Sequence, residues 1–148
     1  MTDHELLDVE IPNALFKGAW TTIGEYAYVV GGINSKRFNS LYRFNMRTYQ
    51  VETLDVVLPK YLCQSRIVNV NDKLYIVGGT DNSGLVDNVY VYDLLNKTLK
   101  ELEFKLPVPL ANTCLSNYKG KLYIVAGNDN INDIILRLDD NGFTNLIL

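Results

Sequence analysis

Histidine and tryptophan occur once each and cysteine twice in 148 residues, and each scarcity removes a class of chemistry. His4, the sole imidazole, reads as part of a solvated tail, so neither Ser-His-Asp nor Cys-His catalysis has a positioned base. A zinc site from His4, Cys63 and Cys114 would want a fourth ligand, and no CxxC or HxxxH spacing is present. Lys and Arg never cluster, the net charge is -3 and the pI is near 5.1. A surface that neutralises phosphates is therefore not expected, which argues against nucleic acid and acidic membranes as partners. Apolar runs stay far below the ~20 residues of a membrane helix, and the N-terminus opens with acids where a signal peptide carries bases. The chain is expected to be cytoplasmic, its two cysteines buried small hydrophobes in a reducing compartment. Gly31-Gly32 and Gly78-Gly79 have neither GxGxxG nor GxxxxGK context, and the Asx-rich stretches 81–84 and 128–133 lack EF-hand spacing. No cofactor, no metal and no enzymatic activity is expected.

What the chain does have is a core and a period. It is 47% hydrophobic and 21% charged, well outside disordered composition. The segment Tyr26-Ala27-Tyr28-Val29-Val30-Gly31-Gly32 returns as Lys73-Leu74-Tyr75-Ile76-Val77-Gly78-Gly79 and as Lys121-Leu122-Tyr123-Ile124-Val125-Ala126-Gly127, at spacings of 47 and 48 residues. Prolines 12, 59 and 107 close a second series with the same spacings. Two landmarks in one phase identify an internal repeat.

Each repeat reads as short strands. In the middle copy these are Arg66 to Asn71, Lys73 to Gly78, Asn88 to Asp93 and Leu99 to Phe104, here strands a to d. They are β-branched and aromatic runs bounded by Asn, Asp, Gly and Pro. Asn71-Asp72 and Lys119-Gly120 supply tight a–b turns. The unbroken apolar run Leu74 to Val77 suits a strand covered on both faces, as when sheets stack on neighbouring sheets. No segment carries a sustained helical period.

About 47 residues, four strands and Gly-Gly after the second strand resemble the kelch repeat. An aromatic and a turn acid follow in the middle copy at Tyr90 and Asp93. The resemblance implies an all-β fold of kelch-type β-propeller blades. Three four-stranded antiparallel blades would span about 18–59, 64–107 and 111–148, after an extra d-like strand at 5–12, all in one domain covering 1–148. The tryptophan that kelch blades pack between neighbours is replaced by Val51, Leu99 and Phe143, and Ala126 stands for one glycine.

Closed propellers have four to eight blades, so three leave two open ends. One reading is an incomplete propeller that becomes half of a six-bladed ring in a homodimer, the extra strand of each chain completing the other's terminal blade. Another is a truncated remnant of a longer BTB-kelch protein with no independent function. Kelch relatives of the BTB class recruit substrates to cullin-3 ligases. The sixteen asparagines and abundant Ile, Lys and Tyr suit an AT-rich source, as in shortened, BTB-less poxviral kelch-like proteins. The resemblance therefore implies a non-enzymatic protein-protein interaction module, a viral substrate-recruiting or decoy adaptor in that reading. Its protein or peptide ligand would sit on a rim of d–a and b–c loops. The side chains suited to the centre of such an interface are Arg37, Phe38, Tyr61 and Arg66, with Asp81 and Asn130 as weaker candidates.

Overall fold

The computed structural model describes residues 17–128 and 131–147. The expected strand at 5–12, His4 and Asn130 lie outside the described residues. Fourteen strands run through the rest, and no helix occurs among the described residues. The first sheet joins β1 (Ala19–Ile23), β2 (Tyr26–Val30), β3 (Phe38–Asn45) and β4 (Val51–Leu62) in that order, all antiparallel. The second joins β5 (Arg66–Val70), β6 (Lys73–Val77), β9 (Val89–Asp93) and β10 (Thr98–Glu101), with a two-stranded hairpin, β7 (Thr80–Asp81) and β8 (Gly84–Leu85), inserted between β6 and β9. The third joins β11 (Cys114–Tyr118), β12 (Lys121–Asn128), β13 (Ile131–Asp139) and β14 (Gly142–Asn145). These are kelch-type blades, and no sheet closes on itself.

The alternation of side chains along the middle strand of each blade decides how the blades stack. In β6, Leu74 and Ile76 join the core shared with the first blade, whereas Val77 joins the core shared with the third. Both faces of this strand are therefore covered, as its continuous apolar run requires. The first core is filled by Tyr28, Val30 and Leu41 against Ile67, Leu74, Ile76 and Tyr90. The second sets Val70, Val77, Val89 and Leu106 against Leu122, Ile124 and Leu136. Strands β1, β5 and β11 approach one another in sequence, so the first strand of each blade is its innermost. Leu99 packs on the first core and Phe143 on the second, each occupying part of the inter-blade space assigned to the missing tryptophan.

Three local expectations change. The fourth strand of the second blade ends at Glu101, short of Phe104, because Leu102 and Phe104 turn into the core and lining beside the third blade. In the first blade the fourth strand instead runs on through Pro59 to Leu62, so Lys60 and Tyr61 stand on a strand. Proline is tolerated there because β4 is an edge strand, and the pairing with β3 shifts register twice over this stretch. The third difference is Cys114. It is exposed rather than buried, since it lies on the face of the third blade that no described element covers.

Candidate functional site

The rim is shaped by the double glycines. Gly31 and Gly78 have φ of 61° and 57°, in the left-handed region, and each lies against a backbone carbonyl of the segment that leads into the next blade, Leu62 at the end of β4 and Leu110 in the loop before β11. A Cβ on Gly31 would meet the Leu62 oxygen at 2.4 Å, and one on Gly78 the Leu110 oxygen at 2.1 Å. The following amides make that proximity useful. Gly32 donates to Leu62 at 2.8 Å and Gly79 to Leu110 at 2.8 Å. The chain thus turns sharply after β2 and after β6 and is bonded there to the segment that leads into the next blade. The third copy carries Ala126 and does not bend. There β12 continues to Asn128 and pairs with β13 through a register shift between Ala126 and Asn128.

The entry loops are tied to one another in the same periodic way. Gln64 donates its amide to the Lys17 carbonyl at 2.9 Å, and Asn112 donates to Gln64 at 3.0 Å. All three residues have positive φ, between 53° and 60°. Cys63 exchanges two backbone bonds with Thr80, of 3.0 and 2.8 Å, which fastens the β7–β8 hairpin to the end of β4.

On this frame the structure brings three candidate segments together. Arg37, on the loop before β3, donates from Nη1 to Asn82 Oδ1 of the β7–β8 hairpin at 2.9 Å. Its Nε is buried without a hydrogen-bond partner among the described residues. Asp81 of that hairpin pairs with Lys60 Nζ of β4 at 3.6 Å and accepts the Ser83 amide at 2.7 Å. The Ser83 amide first, and Lys60 after it, hold the Asp81 carboxyl below the usual carboxylate range. Tyr61 is 54% exposed beside Lys60. Phe38 is buried at the base of the loop, with Lys36 Nζ 5.9 Å above its ring. Arg66 stands half-buried at the top of the innermost strand β5 and donates Nη1 to the Ser65 carbonyl at 3.0 Å. Four cations, Lys36, Arg37, Lys60 and Arg66, thus share this rim with Asp81.

Sequence reading passed over Asn82 and Lys60, which complete these contacts. Their signal was position alone, one in the same Asx-rich loop as Asp81 and the other beside Tyr61. It also passed over a cleft of about 310 Å³ between the first two blades, lined by Tyr28, Arg43, Glu52, Asp55, Tyr92 and Lys97. Arg43 is bound to Glu52 at 2.5 Å and lies 4.5 Å over the Tyr26 ring, so its charge is already committed within the fold. No group of three or more His, Cys, Asp or Glu side chains suited to a metal occurs among the described residues.

Over residues 11–145 the chain matches the family model described as the KLHDC2/KLHL20/DRC7 Kelch-repeats domain. No curated protein matches it.

Proposed function

This chain belongs to the kelch-repeat family matched over residues 11–145, and from that membership we propose that it is a protein-interaction module whose loop rim holds an acidic or phosphorylated segment of a partner. The observation that supports the reading most is the convergence of Arg37 and Lys60 from the first blade on the Asp81-Asn82 hairpin of the second, with Tyr61 exposed next to Lys60 in the chain. Arginine forks suit carboxylate and phosphate oxygens, and an exposed aromatic beside them adds contact area at low entropic cost. Arg66, at the top of the innermost strand, extends the cationic surface towards the axis of the blades. The module works as a substrate-recruiting adaptor, and two copies associate through their blade ends.

A peptide array comparing acidic and phosphorylated sequences with neutral counterparts tests the rim. The native chain should retain charged peptides in a salt-sensitive manner, and the Arg37→Ala/Arg66→Ala variant should lose roughly tenfold or more in affinity. Equal retention by the two proteins would remove the binding surface from this rim.

A further inference from the structure

Between their second and third strands the first two blades turn back differently. The first closes through the single bridge between Ile33 and Arg37, and the second through the longer β7–β8 hairpin. Both turns are pinned at the base by backbone bonds. Phe38 donates its amide to Gly32 at 2.9 Å, Val86 donates to Gly79 at 3.0 Å, and Thr80 is paired with Cys63. The hairpin tip, residues 82–85, is exposed. Arg37 and Lys60 thus stand on fixed backbone, and what the hairpin sets against them is side chains.

Those side chains are an acid and an amide. Asp81 Oδ2 lies 3.6 Å from Lys60 Nζ, and Asn82 Oδ1 accepts Arg37 Nη1 at 2.9 Å. Both contacts are weaker than the ones a bound anion would make. The first is longer than the ~2.8 Å of a charge-assisted hydrogen bond, and its lysine is 38% exposed, so the pair contributes little to stability. In the second, a carboxamide offers Arg37 one neutral oxygen, whereas a carboxylate offers two charged oxygens and a phosphate three. Arg37 Nε is buried without a partner among the described residues, so the guanidinium has donor capacity that Asn82 does not use. Release would not strand Asp81 either, because its Oδ1 keeps the Ser83 amide at 2.7 Å.

We propose that the tip of the β7–β8 hairpin is a built-in competitor for the rim cations, its Asp81 carboxylate and Asn82 amide holding Lys60 and Arg37 until the acid or phosphate of a partner displaces them. This rests on the reading that the rim binds such a segment, and it adds that the free protein is partly self-occupied. The apparent affinity for a partner is then lowered by the fraction of molecules in which the hairpin side chains are in place. A neutral segment has nothing to replace the two lost contacts, whereas a phosphate replaces both. The hairpin therefore sharpens discrimination in favour of charged partners.

Fluorescence anisotropy of a labelled Gly-Ser peptide carrying two adjacent phosphoserines reads the competition, with the unphosphorylated peptide as the neutral control. Asn82→Ala changes no charge, so it separates release of Arg37 from a general change in the field of the rim. This variant should bind the phosphopeptide about threefold more tightly than the native chain, and Asp81→Asn/Asn82→Ala about tenfold more tightly. Asn82→Asp, which offers Arg37 a carboxylate, should bind more weakly than the native chain. The backbone bonds between Cys63 and Thr80 lie at the base of the hairpin, so melting temperatures should not change, and Asn82→Ser replaces Asn82→Ala if that variant folds poorly. Unchanged or weaker binding by Asn82→Ala would overturn the proposal, because the hairpin would then position Arg37 rather than occupy it. If Arg37→Ala/Arg66→Ala still loses the phosphopeptide in that case, the rim reading stands and only the competitor is rejected. Equal binding of the two peptides by every one of these proteins would reject both.

Discussion

A Cβ on Gly78 would stand 2.1 Å from the carbonyl oxygen of Leu110, closer than two such atoms can come. The residue also has φ of 57°, so an alanine there meets both backbone strain and a displaced entry loop. Gly78→Ala is expected to cost about 2–4 kcal/mol. Gly24 shares the left-handed φ but has nothing within 4 Å of the added atom, and Gly24→Ala should cost only about 1 kcal/mol. Urea unfolding of the two variants separates contact from conformation.

The inter-blade core predicts a contrast between adjacent residues. Ile124 is fully buried against the second blade, whereas its neighbour Val125 points outward. Ile124→Ala should lose about 2–5 kcal/mol through transfer and cavity effects, and Val125→Ala less than about 0.5 kcal/mol at concentrations where the chain is monomeric. Similar losses at both sites would show that the outward face is covered.

The Asn71-Asp72 turn between β5 and β6 has positive φ at both central residues, 51° and 60°. That is the pattern for which Asn-Gly is preferred in two-residue hairpins. The Asp72 carbonyl, which accepts the Leu94 amide at 3.0 Å, is untouched by a change of side chain. Asp72→Gly should therefore raise stability by about 0.5–1 kcal/mol, visible as a higher melting temperature with an unchanged spectrum.

Tyr90 is buried between the first two blades, and its hydroxyl has no hydrogen-bond partner among the described residues. Burial first, then the charges of Glu101 and Asp81, push its pKa from 10 up to about 12. The folded protein therefore holds this proton more tightly than the unfolded chain. The resulting stability is complete below pH 10 and is lost as pH rises towards 12. Tyr90→Phe should flatten the alkaline limb of the stability profile and be neutral or stabilising by up to about 1 kcal/mol at neutral pH. A steeper alkaline loss in the variant would contradict the assignment.

Much of this architecture was legible in the residues themselves. The three Tyr-aliphatic strands at 26, 73 and 121 became the second strand of each blade, and the expected start of the middle blade's first strand, Arg66, is where β5 begins. The double glycines marked sharp bends after the second strand, and both are present. The rim was visible only in outline. Arg37, Tyr61, Arg66 and Asp81 could be chosen by residue type, but the pairing of Arg37 with Asn82 joins residues 45 positions apart. No local pattern encodes that distance, because it depends on how two blades stack. The same holds for Phe38, whose apolar ring suits an interface or a loop core equally until the loop is folded around it.

The repeat, the strand content and the bend at each Gly-Gly follow from sequence alone because they are local. Side-chain alternation, β-branching and positive φ act over a few residues, and repetition multiplies their signal. Tertiary structure alone decided that Val125 and Cys114 are exposed while Val30 and Val77, in the same repeat position, are buried. Burial is a property of the neighbouring sheet rather than of the strand. The two inner valines have a blade opposite them, and the third has none among the described residues.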